Sequence, residues 1–214
     1  MTTNLTELVF ILDRSGSMGG LEGDTIGGFN AMLEKQKLEE GAARVTTVLF
    51  DNEYDIIHDR LDLPSVKPLT REEYFVRGST ALLDAIFRSI RKVDGVMEST
   101  APEHRPDRVL FSIITDGMEN ASHYITREQL ASLVKQRRDM GWEFIFLGAN
   151  MDAIEVAGSY GIAKNRAQTY LNDEEGVNLN FEAVNRAATS FRGGRAIAPD
   201  WDSGIRKRGQ GKRG

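Results

Sequence analysis

Residues 8–18 read Leu-Val-Phe-Ile-Leu-Asp-Arg-Ser-Gly-Ser-Met, an apolar run that passes directly into a polar loop containing glycine. Short, continuously apolar runs are typical of strands that are buried on both faces of a parallel sheet. Such sheets are covered by helices on both sides. We therefore expect an α/β fold in which residues 8–12 form a buried strand and the polar loop lies at its carboxyl end.

Further strands and helices alternate along the chain. Strands are predicted over residues 45–50, 54–61, 109–115, 144–147 and 167–171. Helices are predicted from apolar stripes or short helical patterns over residues 26–33, 83–97, 130–134, 151–160 and 181–191. Thr126 and Gln129 resemble a capping box. The turn at Asp51 and Asn52 is too short for a crossover, so the strand after it is predicted to return antiparallel. This alternation predicts a Rossmann-like, doubly wound, mostly parallel central sheet flanked by helices.

The composition is that of an ordinary globular chain. The 214 residues suit one domain, and 40% of them are hydrophobic and 28% charged. The apolar runs are far shorter than the roughly 20 residues that a membrane helix needs, and the first residues lack the pattern of a signal peptide. Because cysteine is absent, disulfides, thiolate metal sites and a cysteine nucleophile are excluded. We expect a cytoplasmic protein.

The carboxyl-terminal segment differs from the rest in charge. Residues 194–214 contain six basic and two acidic residues and carry +4, whereas the other residues carry −9, for a net charge of −5. We predict one domain over residues 1–193 and a flexible basic tail over 194–214, because glycine and arginine predominate there. A solvated tail is favoured over one that binds nucleic acid, since short basic runs are common.

Two aspartates stand where predicted strands end. Asp13 follows the first strand and Asp116 the fourth, and ligands of open α/β sheets bind beyond the carboxyl ends of the strands. Ser15 and Ser17 alternate with Asp13, so the three side chains can point the same way around a turn that Gly16 allows. A carboxylate and hydroxyls that converge are oxygen ligands of the kind that Mg²⁺ prefers.

A third loop supplies the last candidate. Thr80 precedes the most strongly amphipathic helix and can offer a hydroxyl. Each piece has a simpler interpretation alone: Thr80 or Ser79 as a helix cap, Asp116 as part of a turn, and the two serines as loop residues. Together they predict a site for Mg²⁺, with Mn²⁺ as an alternative. Its ligands are Asp13, Ser15, Ser17, Thr80 and Asp116.

These motifs resemble those of the von Willebrand factor A domain, whose metal centre is the metal-ion-dependent adhesion site. The resemblance rests on Asp-x-Ser-x-Ser after a buried strand, Gly-x-Thr before a helix and Thr-Asp-Gly after a later strand, and it extends over residues 5–193. The chain is most similar to the small, stand-alone bacterial members. The similar stretches are residues 12–18, 75–85, 115–122 and 141–150.

The resemblance implies six strands, of which one is antiparallel and lies at the edge, and the metal ligands named above. It also implies a binding mechanism, in which few charged ligands leave the metal electrophilic and an Asp or Glu of a partner protein takes its water-filled position. Family members often act beside ATPases or in multi-protein assemblies, so we expect a metal-dependent protein-interaction module rather than an enzyme. Some relatives shift their last helix, but the apolar stripe of residues 181–191 predicts rigid packing here.

Four residues near the motifs have two open interpretations each. Glu119 either orients a water or hydroxyl at the site or is an exposed loop carboxylate, and the second is favoured. Asp84 either supports the site or is a polar helix residue or a salt-bridge partner. Arg14 and Arg77 either attract an acidic partner or are simply solvated.

Two alternative functions remain open at this point. Metal-assisted hydrolysis needs a base or a nucleophile besides the metal, and His123 follows a metal loop, although a lone loop histidine is usually just exposed. The chain lacks a phosphate-binding Gly-x-x-x-x-Gly-Lys loop and a Gly-x-Ser-x-Gly nucleophile elbow. Nucleic-acid binding through the basic tail is the second alternative, and it would depend strongly on salt.

Overall fold

The computed structural model describes residues 4–211, which contain one six-stranded sheet. The strands are β1 Leu5–Asp13, β2 Ala42–Phe50, β3 Tyr54–Asp62, β4 Arg108–Thr115, β5 Glu143–Ala149 and β6 Ala167–Tyr170. Their order is β3-β2-β1-β4-β5-β6; the pair β2–β3 is antiparallel and the other pairs are parallel. The predicted fold class and its antiparallel edge strand are confirmed.

Helices cover the sheet within the described residues. They are α1 Glu22–Lys37, α2 Leu82–Ser99, α3 Arg127–Asp139, α4 Ala153–Ser159, α5 Glu174–Arg192 and α6 Ser203–Gly211. The capping box predicted ahead of α3 is present, with the Thr126 hydroxyl accepting from the Gln129 amide. Across residues 4–211, no helix combines the length and the hydrophobicity that a membrane span requires.

Two apolar cores lie on opposite faces of the sheet, because side chains alternate along a strand. Phe10 of β1 packs with Phe29 of α1 and Phe181 of α5, whereas Ile11 faces the other core with Ile86 of α2. The rings of Phe10 and Phe29 meet edge to face, with centroids 5.4 Å apart. Since helices occupy both faces, the carboxyl ends of the strands and their loops are where a ligand can approach.

The carboxyl-terminal segment departs from the predicted tail. Ile197, Trp201 and Ile205 are buried in the same core as α1 and α5, and the indole Nε1 of Trp201 donates to the carbonyl of Asn165 at 3.0 Å. The prediction of a flexible tail is therefore wrong for residues 195–211, and residues 212–214 lie outside the described part. Composition was misleading because glycine and arginine outnumber three apolar residues that are spaced four apart.

Candidate metal centre

The strand order brings the predicted motifs together. Asp13 ends β1 and Asp116 directly follows β4, and these two strands are neighbours although about a hundred residues separate them. Ser15 and Ser17 lie in the turn after β1. Thr80 lies in the loop ahead of α2, whose amino end is at the same edge of the sheet.

Three hydroxyls surround Gly117. A Cβ atom built on this glycine would stand 2.7 Å from Thr80 Oγ1, 3.3 Å from Ser17 Oγ and 3.4 Å from Ser15 Oγ. Ser15 Oγ and Ser17 Oγ are 3.1 Å apart, and Ser17 Oγ donates to Asp116 Oδ1 at 2.5 Å. Hydroxyls from two separate loops therefore converge beside the Asp116 carboxylate.

This donor set fits a small, hard cation. Oxygens about 2.1 Å from Mg²⁺ in octahedral geometry are separated by about 3 Å along each edge of the octahedron. The separation of 3.1 Å between the two serine hydroxyls matches such an edge, and the 2.5 Å from Ser17 to Asp116 is somewhat shorter. Residues 4–211 hold no cluster of three or more His, Cys, Asp or Glu side chains suited to a metal. The candidate centre thus consists of hydroxyls with two carboxylates.

Asp13 is held more tightly than a loop carboxylate. Its Oδ1 accepts from the Ser15 amide at 2.7 Å, and its Oδ2 accepts from the Thr115 hydroxyl at 2.5 Å. Burial raises the pKa of this carboxyl to about 6, against the lowering effect of the bonds from Thr115 and Ser15, and the charge of Asp116 raises it too. A cation bound beside Asp13 would favour the charged form of its carboxyl.

Arg14 is a buried structural residue rather than a solvated one. Its side chain is 2% exposed, and its guanidinium donates to Asp51 at 2.9 Å and also to Asp55. Arg77 donates to the same Asp51 oxygen at 2.8 Å. The Asp51 carbonyl in turn accepts from the amide of Ala81 at 2.8 Å. The solvated interpretation of Arg14 is therefore wrong, and both arginines tie the β2–β3 hairpin to the loops that carry the candidate ligands.

Glu119 and Asp84 organise the loop that follows β4. The Glu119 carboxylate accepts from the amide of Leu83 at 2.9 Å and from the hydroxyl of Ser122 at 2.7 Å. Asp84 accepts from the amides of residues 123 and 124, at 2.7 and 2.9 Å. Glu119 is therefore not the exposed loop carboxylate that the sequence favoured, because it accepts from a backbone amide and a hydroxyl. Asp84 accepts from backbone amides instead of forming the salt bridge considered for it.

Asn172 touches the centre although no motif includes it. It follows β6, and its Nδ2 donates to Asp116 Oδ2 at 2.8 Å. A single asparagine beside an aspartate is a common loop signal. The sequence therefore offered no means of placing it at the centre.

A cavity of about 380 Å³ opens beside Gly117. Its lining includes Leu82, Met118, Met151 and Tyr160. Met118 is 67% exposed, so an apolar side chain stands open to solvent at the edge of the candidate centre.

Solved structures share this architecture. The pilus adhesin SpaC from Lactobacillus rhamnosus GG matches 87% of this chain and 31% of its own, with a TM-score of 0.61 and 11% identity. The von Willebrand factor type A structure from Catenulispora acidiphila matches 86% of this chain and 43% of its own, with a TM-score of 0.57 and 14% identity. The chain has the von Willebrand factor A fold.

A third structure with this von Willebrand factor A fold is described with a zinc-occupied MIDAS motif, the metal-ion-dependent adhesion site. It is proximal thread matrix protein 1 from the mussel byssus, which matches 86% of this chain and 46% of its own, with a TM-score of 0.56 and 14% identity. The chain spans less than half the length of these structures. No known family profile and no curated protein sequence matches it.

Proposed function

We propose that this chain is a metal-dependent protein-interaction module. The residues that hold the divalent cation, Mg²⁺ or alternatively Mn²⁺, are Asp13, Ser15, Ser17, Thr80 and Asp116. The main support is the convergence of three hydroxyls and a carboxylate around Gly117, where an added Cβ would meet Thr80 Oγ1 at 2.7 Å. When bound, the cation supplies a positive centre that can accept a carboxylate ligand from outside the protein.

The partner in this proposal is a protein that offers an Asp or Glu side chain. The five side chains supply one oxygen each, so one of the six positions around an octahedral Mg²⁺ is left for a carboxylate from outside the protein. The cavity beside Gly117, lined in part by Leu82 and Met118, gives room for the residues next to that carboxylate. We further propose a cytoplasmic multi-protein assembly, for example with an ATPase, as its setting.

Hydrolysis is less well supported by the same contacts. A general base must be able to take up a proton, but both oxygens of Glu119 already accept hydrogen bonds from backbone amides. His123 is exposed, and the contact that it makes to Asp84 comes from its backbone amide, at 2.7 Å. These contacts favour a binding role over a catalytic one.

Nucleic-acid binding through the basic segment also has weaker support. Arg206 pairs with Asp202 at 2.5 Å, and Arg208 pairs with Asp173 at 2.8 Å and with Glu175 at 2.7 Å. Arg208 thereby joins α6 to the amino end of α5, and paired guanidinium groups attract phosphate less strongly than free ones.

Calorimetric titration of Mg²⁺ and Mn²⁺ into metal-free protein tests the metal centre. We expect saturable binding by the wild type and at least tenfold weaker binding by Thr80→Val, which removes a hydroxyl and keeps the side-chain shape. Thr100→Val, at the far end of α2 from Thr80, is the matched control and should bind as the wild type does. The proposal fails if the wild type binds neither cation.

The partner step has its own test. Proteins captured by the wild type in Mg²⁺ should be released by a chelator and should not be captured by Thr80→Val. If the proteins stay bound in the presence of the chelator and are also captured by Thr80→Val, the interaction does not use the metal centre.

A further inference from the structure

Asn172 orients one of the two carboxylates of the metal centre. It lies in the loop between β6 and α5, and its Nδ2 donates to Asp116 Oδ2 at 2.8 Å. The other oxygen, Asp116 Oδ1, accepts from Ser17 Oγ at 2.5 Å. Asp116 is therefore held between a donor from the Asp-x-Ser-x-Ser motif and a donor from a loop that no motif marks.

The carbonyl oxygen of the same amide is buried and has no hydrogen-bond partner among residues 4–211. Buried polar side-chain atoms in native proteins are nearly always paired. An amide oxygen carries lone pairs and no hydrogen, so its partner must be a hydrogen-bond donor or a cation. Asn carbonyl oxygens are ligands of hard cations. An unpaired acceptor on the side chain that holds Asp116 therefore points to a bound ion, or to a water that the ion carries.

The loop that carries Asn172 is fixed by its neighbours. Asp173 caps α5 by accepting from the amide of Gly176 at 3.0 Å, and it also pairs with Arg208 of α6 at 2.8 Å. A Cβ on Gly176 would stand 1.8 Å from the carbonyl oxygen of Leu171. Because the loop packs this closely against α5, the position of the Asn172 amide is set by the two carboxyl-terminal helices.

We propose that Asn172 is a sixth residue of the metal centre. Its Nδ2 positions the Asp116 carboxylate, and its Oδ1 accepts from the water that would occupy the sixth position of the cation until the partner's carboxylate takes that position. The inference rests on the proposed metal binding. It adds to that function a positioning residue from the loop ahead of α5, so that the carboxyl-terminal helices support one side of the centre.

Two substitutions of Asn172 test this role. Asn172→Leu keeps a similar volume and removes both polar atoms, so the affinity for Mg²⁺ in calorimetric titration should fall about tenfold, as for other residues that orient metal ligands. Asn178→Leu, at an exposed position of α5, is the matched control and should keep the wild-type affinity. Asn172→Asp keeps the shape and places a third carboxylate against Asp116.

The aspartate variant gives a readout that a purely structural residue would not change. Without metal, repulsion between the two carboxylates should lower the thermal midpoint. Added Mg²⁺ should then raise that midpoint by more than it does for the wild type, because the cation relieves the repulsion. Variants that lose thermal stability but keep the wild-type affinity and the wild-type Mg²⁺-induced shift would overturn the inference.

Failure of the metal centre itself has a different signature. If the wild type binds neither Mg²⁺ nor Mn²⁺, the proposed function falls and this inference falls with it. If the wild type and both Asn172 variants bind with equal affinity, the metal centre stands and the role of Asn172 is refuted.

Discussion

Two glycines near the candidate metal centre are required for different reasons. Gly78 has a φ of +65°, and a Cβ there would stand 1.9 Å from Asn52 Oδ1, so both its conformation and its surroundings exclude a side chain. Gly117 has no such conformational requirement. Its surroundings alone exclude a Cβ, because the hydroxyl oxygens of three other residues lie within 3.4 Å of that position.

Gly117→Ala should therefore weaken metal binding more than it weakens the fold. The added Cβ would stand 2.7 Å from Thr80 Oγ1, and the hydroxyl must move away for it to fit. We expect at least a tenfold loss of Mg²⁺ affinity by calorimetry, with the circular dichroism spectrum unchanged.

Gly95→Ala is the matched control for this substitution. Gly95 is exposed on α2, and nothing lies within 4 Å of its added Cβ. Alanine should stabilise the helix by about 0.5–1 kcal/mol and leave the metal affinity as it is. Equal affinities of the two variants would contradict the convergence of hydroxyls at Gly117.

At the scale of elements, Arg192 joins the ends of two helices. It is 3% exposed, and its guanidinium donates to the carbonyls of Gln36 and Gly41 at 2.5 and 2.8 Å, at the carboxyl end of α1. Burial lowers its pKa.

The apolar face predicted for α5 is present, with Phe181 in the core. Rigid packing of α5 stays a prediction, which amide exchange can test.

Trp201 attaches the carboxyl-terminal segment to the core. It is 1% exposed, and its removal would also leave the carbonyl of Asn165 without the indole donor. Trp201→Ala should lower the free energy of unfolding by about 3–5 kcal/mol, as measured by urea denaturation. Tyr124→Ala, at a side chain that is 73% exposed, should change it by less than about 0.5 kcal/mol. A similarly small effect for both would show that residues 195–211 behave as a solvated tail.

At the scale of the whole molecule, His58 makes stability depend on pH. Its Nδ1 lies 2.9 Å from Thr47 Oγ1, and its ring stacks on Phe29 with centroids 6.5 Å apart. Burial lowers the pKa of this imidazole below its usual 6.5. The unfolded chain therefore takes up a proton near pH 6.5 while the folded protein does not, and the free energy of unfolding falls as pH drops below that value.

His58→Gln should remove this part of the pH dependence. Between pH 6.5 and the lower folded-state pKa, the wild type should lose up to about 1.4 kcal/mol per pH unit more than the variant. The measurement is urea denaturation of both proteins from pH 8 to pH 5. Parallel stability curves would show that His58 is protonated equally in the folded and unfolded states.

Local patterns were sufficient for much of the architecture and for the motifs. Apolar runs and helical patterns predicted the six strands, the helices α1 to α5 and the antiparallel return after Asp51, because strands and helices that are buried against other elements carry regularly spaced apolar residues. Helix α6 was not predicted. The spacing of Asp13, Ser15 and Ser17, with Thr80 and Asp116 in two other loops, was sufficient to propose one centre.

Contacts between distant segments depended on the packing of the whole chain. Arg14 is a buried partner of Asp51 and Asn172 donates to Asp116, although nothing local to either residue indicates this. Trp201 lies in the core, and its only local sign is the spacing of four residues to Ile197 and to Ile205. A hydrogen bond between two loops depends on the order of the strands that carry them. Likewise, the burial of one indole depends on which helices pack against it, and a short apolar spacing in a segment rich in glycine and arginine does not determine that packing.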